Sequence, residues 1–317
     1  MSPTSAAGRN SPAAAASSDI PRQIVQIGNL SILHGDNWGR FPLVNSLFLE
    51  GPVRVVVDPG SNEEFFREIL GRGPVQVLLN THYHGDHTRH NRMFADASLH
   101  VPEADAPVYQ SLDNLAAYIG RKGREDEEHW RRMAVEERGY RPRTVDVAYR
   151  DGEIYRFGDT TVEIVHAPGH TPGHSCLLFR EISALYLGDI DLTKFGPWYG
   201  NAASDIDQFL ESIERVRRIQ VDWYIPAHGP VIPKSEIAGR FEAFAAVVHE
   251  REVRILEALR SPRTIAGIVK AHPVYRKQYL PQDVFDFMEE MMVRNHLRRL
   301  LRLGVVEALE EGRYRAR

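Results

Sequence analysis

The stretch Thr81-His82-Tyr83-His84-Gly85-Asp86-His87 packs three imidazoles and a carboxylate into seven residues, directly behind the apolar run Val75-Gln76-Val77-Leu78-Leu79. The run is short, contains β-branched Val75 and Val77, and is followed by Asn80, so it reads as a buried strand ending in a loop. Residues two apart in extended chain point the same way, which sends His82 and His84 to one side. A turn at Gly85 then brings Asp86 and His87 round beside them. A lone histidine is usually a satisfied core or surface residue. Four ligand-type side chains crowded into one loop need partners, and their nitrogen and oxygen donors suit Zn²⁺ or a similar first-row ion.

The rest of the chain supplies strand ends that can be brought to this loop. A hairpin is expected over 24–27 and 31–34, a second strand pair over 43–49 and 53–57, and a helix over 61–70. Asp58 closes the second pair, either as a carboxylate that orients a ligand imidazole or as a plain turn residue. Residues 102–142 form a helical insertion. Leu112, Leu115 and Tyr118 recur at helical spacing, Trp130 and Met133 sit in the charged segment 124–138, and a break at 120–123 divides two helices. This insertion either covers the site and shapes its pocket or is a solvated excursion. Strands are expected again at 145–148, 153–157 and 161–165. Then Ala167-Pro168-Gly169-His170-Thr171-Pro172-Gly173-His174 forms a stiff loop able to fix His170. Strands over 175–179 and 184–187 lead to Asp189. A helix over 204–218 opens with the cap-like Ser204, and a strand over 221–225 ends at His228.

Taken in order, His82-Tyr83-His84-Gly85-Asp86-His87, His170, Asp189 and His228 resemble the metallo-β-lactamase-fold hydrolases over about residues 24–240. The resemblance implies an α/β (α+β) fold, a four-layer αββα sandwich with its metal site at one edge of two sheets. It implies that His82, His84 and His170 bind one metal, that Asp86, His87 and His228 bind a second, and that Asp189 bridges them. An Asp at the bridging position looks more like the glyoxalase II, lactonase and thioesterase branches than an antibiotic-degrading one. The cofactors so implied are two divalent ions, Zn²⁺ first, with Mn²⁺ or Fe²⁺ also compatible with these donors. Asp86 and Asp189 are the expected catalytic carboxylates, working with a metal-bridging hydroxide. His174 is expected to lie buried behind the ligands. Trp198 and Tyr199, in the Gly/Pro loop 193–200, wall the substrate pocket or pack as ordinary loop residues, and Trp38 has a weaker version of the same claim. After His87 the chain reads Thr88-Arg89-His90-Asn91, where many family members carry small residues. Arg89 and His90 either adjust substrate choice or lie on the outer face of a helix.

The C-terminal residues 241–317 read as helices over 241–259, 264–271 and 281–303, followed by a hairpin over 305–309 and 313–315. They resemble a winged helix appended to a catalytic domain at 21–240. Arg294, Arg298 and Arg302 form a basic stripe that could contact phosphates, but Glu307, Glu310 and Glu311 oppose nucleic acid, and packing against the catalytic domain or a second subunit of a homodimer is expected instead. Lys+Arg 39 against Asp+Glu 43 leaves net −4, so nothing draws the whole chain to nucleic acid or an anionic membrane. The single Cys176 excludes an intramolecular disulfide and fits a reducing compartment. No apolar stretch reaches membrane-spanning length. Residues 1–20 read as a disordered Ala/Ser/Pro-rich leader, and the expected location is cytoplasmic. These features suggest a di-metal hydrolase of a small-molecule ester, thioester (acyl-CoA included) or lactone. A metal-dependent endoribonuclease or phosphodiesterase, and a mononuclear iron oxygenase of the same fold, are the alternatives.

Overall fold

Val55–Val57 and Ala184–Gly188 are apolar at almost every position, the pattern of strands covered on both faces. The computed structural model describes residues 24–136 and 139–317 and shows where that cover comes from. The leader expected over 1–20, and positions 137–138 of the insertion, lie outside the described residues. The first sheet runs, in spatial order, β1 (Ile24–Ile27), β2 (Leu30–Leu33), β3 (Ser46–Leu49), β4 (Val55–Val57), β5 (Val77–Leu79), β6 (Ser98–Pro102) and β7 (Val147–Tyr149). Pairing is antiparallel as far as β4 and parallel from β4 to β7.

The second sheet contains β8 (Ile154–Phe157), β9 (Thr160–His166), β10 (Ser175–Phe179), β11 (Ala184–Gly188), β12 (Trp223–Pro226) and β13 (Ile232–Pro233), each beside its sequence neighbour. Only β11 and β12 pair in parallel, joined by the crossover helix Ile206–Arg217. Along β11 the side chains alternate. Ala184 and Tyr186 enter the core between the sheets, whereas Leu185 and Leu187 enter the core under the helices. Val55 and Val57 likewise face the second sheet while Val56 faces the helices outside the first. That alternation builds four layers, αββα, as the family resemblance implied.

Loops at the C-terminal ends of β4, β5, β11 and β12, and the β9–β10 connection, collect at one edge of the two sheets. Parallel strands put their C-terminal ends together, and ligands of such sheets bind there. A register shift between Tyr186 and Gly188 adds a local bend next to Asp189. Gly60 has to be glycine because a Cβ there would sit 1.5 Å from the carbonyl oxygen of Asp86.

Beyond the second sheet lie helices Arg240–Ala258, Ile265–Val269 and Gln282–Arg302, with a small sheet ordered β14 (Arg263–Thr264), β16 (Arg313–Ala316), β15 (Val306–Ala308). Val248, Ile255, Met292 and Leu300 from these helices share one apolar core with Leu185, Leu187 and Phe209. All three arginines of the basic stripe are exposed, and each has a partner within the protein. Arg294 donates to Glu290 (2.8 Å), Arg298 to the carbonyls of Ala202 (3.2 Å) and Ser204 (3.4 Å), and Arg302 to Asp207. No helix among the described residues is long and apolar enough to cross a membrane.

Two details differ from the sequence reading. The insertion holds three helices, Ala106–Gln110, Leu112–Ile119 and Glu127–Glu136, where two were expected. Ser111 adopts an extended conformation and caps the second helix by accepting from the Asp113 and Asn114 N–H groups. The strand β6 had no sequence expectation, since only Leu99 and Val101 mark it and His100 interrupts the run.

Candidate metal centre

Two groups of side chains meet at this edge. His82, His84, His170 and Asp189 form a quartet, and Asp86, His87 and His228 a trio; within each, one donor atom per residue lies within 4.8 Å of all the others. In the quartet, His170 Nε2 is 3.2 Å from His82 Nε2, 2.8 Å from His84 Nδ1 and 3.0 Å from Asp189 Oδ2. In the trio, His228 Nε2 is 3.5 Å from Asp86 Oδ2. Asp189 links the groups, its Oδ1 lying 2.8 Å from His87 Nε2 and 3.8 Å from His228 Nε2. His87 Nε2 and Asp189 Oδ1 are fully buried and face each other at 2.8 Å without the alignment of a hydrogen bond, and neither has any other hydrogen-bond partner. Orphaned inward-facing donors among clustered nitrogens and carboxylate oxygens are what a divalent cation satisfies, so the residues fit such an ion. Asp86 and His228 keep 11% and 13% of their side chains exposed, so this side of the cluster opens to solvent.

The outer nitrogen of each imidazole has its own partner, which turns the other nitrogen inward. His87 Nδ1 donates to Asp58 Oδ2 (2.9 Å), His170 Nδ1 to the Trp198 carbonyl (2.7 Å) and His228 Nδ1 to the Gly39 carbonyl (2.7 Å). His82 Nδ1 lies 3.1 Å from Thr81 Oγ1, which itself donates to Asp58 Oδ2 at 2.6 Å. His84 presents Nε2 outward to the Asn201 amide at 2.5 Å. An N–H on that nitrogen requires Asn201 to offer its oxygen. Asp58 also accepts the Thr81 N–H (2.8 Å) and has φ +45°, a conformation unusual for a non-glycine residue and held here by buried hydrogen bonds.

Electrostatics separate the two groups. Burial, and then the neighbouring His87, hold the His82 imidazole well below its ordinary pKa; burial and His170 do the same to His84. Burial also acts downward on His87 and His228, but carboxylates overcome it. Asp189 and Asp58 lift His87 well above its usual value, and Asp189 and Asp86 lift His228 to about 9. Burial would raise Asp189, yet His170 and His87 outweigh it and hold this carboxyl well below the usual range.

Asp58 therefore touches a cluster imidazole directly. His174 is fully buried, donating from Nδ1 to the Ala167 carbonyl (2.9 Å) and accepting the Asp189 N–H at Nε2 (3.0 Å), so it sets the backbone that carries Asp189. Trp198 stacks edge-on to His84 at 5.3 Å between ring centres. The pocket-wall expectation for Tyr199 is corrected. Its ring is fully buried against the C-terminal helices, with the hydroxyl 2.7 Å from His296 Nε2 and 3.0 Å from Arg251 Nη1. Adjacent residues of an extended loop point to opposite sides, so Trp198 and Tyr199 cannot both face the cluster. Ser204 is not the helix cap; Asp205 caps it, accepting the Gln208 N–H, and Ser204 Oγ donates to the His170 carbonyl at 2.8 Å.

The sequence reading missed Asn201, Asn295, Asp105 and Arg251. Asp105 is fully buried, accepts from Thr171 Oγ1 and the Gly173 N–H (2.8 Å each), and is pushed by burial to about 7. Arg251 donates to the carbonyls of Phe195 and Pro197 (2.5 Å each), on either side of the turn that leads to Trp198. The one available signal was a charged Arg among the apolar positions of a helix, which is ambiguous without its partners.

Two sheets packed face to face, with a histidine and aspartate cluster at the ends of their parallel strands, define a metallohydrolase-type scaffold. The Metallo-beta-lactamase superfamily model matches residues 40–228, and the chain belongs to that superfamily. A metallo-beta-lactamase family protein of Thermus thermophilus superposes with TM-score 0.70 at 22% identity, covering 91% of this chain and 99% of that one. A beta-lactamase domain protein of Burkholderia ambifaria gives TM-score 0.66 at 20% identity over 95% and 96%. Among curated relatives, an atrochrysone carboxyl ACP thioesterase of Cryptosporiopsis is 23% identical over 73% of this chain and 62% of its own length. The chain spans between 49% and 62% of the length of the first such relatives it matches.

Proposed function

We propose that the protein is a di-metal hydrolase of a small acyl substrate, an ester, lactone or, in first place, a thioester. The observation that carries this is the convergence of seven donors in two groups, with His87 Nε2 and Asp189 Oδ1 buried between them, 2.8 Å apart and without a hydrogen bond's alignment. Seven donors in two groups are enough for two ions, which supports the di-metal reading over the mononuclear oxygenase. The partners that the stripe's arginines already have within the protein, Glu290, Asp207 and the carbonyls of Ala202 and Ser204, weigh against the nuclease reading. The thioesterase name of a relative supports the thioester within the acyl class.

In this reading His82, His84, His170 and Asp189 hold one ion, and Asp86, His87, His228 and the shared Asp189 hold the other. Bound there, divalent ions supply Lewis acidity toward the acyl oxygen and toward water. The chain's own groups orient and exclude. Asp58 and the carbonyls of Trp198 and Gly39 keep the imidazoles in the tautomer that faces inward. Asp86, partly open to solvent, accepts a hydrogen of the attacking water and so aims its oxygen at the carbonyl carbon. The new carbon–oxygen bond forms, the carbon–sulfur or carbon–oxygen bond breaks, and the leaving thiol or alcohol takes the proton that the attacking water gives up. Residues 21–240 act as the catalytic body and 241–317 as the part that braces it, in a cytoplasmic setting compatible with a single buried Cys176.

Metal content and activity measured together on p-nitrophenyl esters, lactones, acyl-CoAs and RNA test the proposal. Acyl hydrolysis is expected only with metal, and Asp189→Ala should lower it by about three orders of magnitude. Cleavage confined to RNA, or full metal occupancy in the Asp189→Ala protein, would overturn it.

A further inference from the structure

One face of the segment that carries the ligands is turned away from them and borders a cavity of about 330 Å³, closed on its far side by the helical insertion. That volume lies in the range that encloses a small organic molecule, about 300–1,000 Å³. Gly85, Thr88, Arg89 and Arg92 line one wall, and Tyr109, Trp130 and Tyr140 face them. His84 also borders the cavity while its Nδ1 lies in the quartet, so the two spaces share a wall. Between His84 and Asp86 stands Gly85, exposed, with no atom within 4 Å of the position a Cβ would take.

Charge on the rim is unevenly used. Arg141 donates to the carbonyls of Val135 and Tyr140 (2.7 Å each), and Arg143 to those of Phe94 (3.0 Å) and Ala97. Arg89 and Arg92 are exposed and make no hydrogen bond or ion pair with any described residue. Arg92 does lie within electrostatic range of Glu63, but that carboxylate is already held by Arg67. The cavity thus shares the His84 wall with the cluster, is lined by aromatic side chains, and carries two guanidinium groups without a hydrogen bond or ion pair among the described residues.

We infer that this cavity takes the acyl part of the substrate, a ring-bearing acyl group whose carboxylate substituent meets Arg89 and Arg92 while its reacting carbonyl reaches the cluster past Gly85. The inference rests on the acyl-hydrolase reading above. Flat apolar rings match aromatic walls. A guanidinium fork matches a carboxylate in two parallel hydrogen bonds, which an ammonium cannot do. A phosphate on a carrier arm offers the same anionic chemistry, so the experiment separates the two sources.

The metal-loaded full chain is assayed with three thioesters of N-acetylcysteamine, which has no phosphate: acetyl, naphthoyl, and naphthoyl bearing a second carboxylate. The double variant Arg89→Ala/Arg92→Ala should raise KM for the carboxylated substrate about tenfold, with kcat and the acetyl substrate changed by less than about twofold. Ala134→Phe, which fills the cavity, should remove naphthoyl turnover and leave acetyl turnover; because Ala134 is buried and this variant can fail to fold, the exposed arginine pair is the deciding test. Equal KM values for the double variant and the parent would overturn the assignment. So would a KM effect seen with CoA thioesters and absent with the cysteamine ones, which would give the arginines to a carrier phosphate. Calorimetric binding of a naphthalene dicarboxylate separates the two levels. Binding lost in the double variant, with no thioester hydrolysed by any form, would refute the reaction while keeping the cavity's ligand class.

Discussion

The quartet and the trio use the same kinds of side chain, yet opposite ends of the chain brace them. The trio leans on the N-terminal half. Asp58, at the end of β4, holds His87, and Gly39, in the turn before β3, holds His228. The quartet leans on the C-terminal helices. Trp198, whose carbonyl holds His170, donates from its indole to Tyr275 at 3.0 Å, and Arg251 clamps the same loop. Asn201, which holds His84, has its own carbonyl held by Asn295 at 2.8 Å. The superfamily match ends at 228, so the supports of the quartet contributed by 251, 275 and 295 lie outside it. A metal centre can thus keep its ligands while recruiting a separate part of the chain to aim them. Charge differs as well: the quartet's His82 and His84 are held neutral by burial, whereas the trio's His87 and His228 are held protonated by carboxylates in the metal-free protein.

This contrast can be broken in three ways. Asp58→Ala has the largest expected effect, weakening the trio's ion about 10- to 100-fold, because an orienting carboxylate is lost from His87. The quartet should suffer less, since Thr81 stands between Asp58 and His82; titration of the metal-free protein with Co²⁺, followed by its visible spectrum, resolves the two steps. Equal losses at both would show that the supports are not separate.

Raising the pH is the second probe. His228 has its pKa raised to about 9 from an ordinary 6.5, so in the metal-free protein it contributes stability that is complete below about 6.5 and lost as the pH rises through about 9. A cation competes with that proton. With His87 protonated as well, two protons are displaced, and the trio's affinity should therefore rise by about a hundredfold per pH unit between about 7 and 9, while the quartet's changes little. Calorimetry in buffers of different ionisation enthalpy should show proton release on the second ion and little on the first; equal release on both would contradict the charge assignment.

Arg251→Met is the gentlest break. Removing the clamp on 195–199 should weaken only the quartet's ion, by about tenfold, through His170. The thermal midpoint will fall too, since buried carbonyls lose their donor. A fall in midpoint with both affinities unchanged would make Arg251 a stability residue alone.

Much of this cluster was readable in advance because its donor side chains are chemically unusual. Imidazoles and carboxylates at strand ends stand out in a chain otherwise made of apolar runs and turns, and all seven come together. The two-face alternation of β4 and β11 was legible for the same reason, since burial leaves an apolar pattern. Tyr199 was not legible: in a Gly/Pro loop, which of two adjacent aromatics faces the cluster depends on a backbone path that residue types do not encode. Ser204 looked like a cap and proved to hold the His170 carbonyl, because a hydroxyl at a helix start can serve either partner.

Sequence by itself determined the donor set and the strand ends that carry it, since both depend on side-chain chemistry and local periodicity. Tertiary structure alone decided what aims those donors. Two of the braces, at Gly39 and Trp198, are backbone carbonyls, which every residue possesses, so no letter of the sequence marks them. Only the folded path of the chain brings them to within 2.7 Å of the rings they hold.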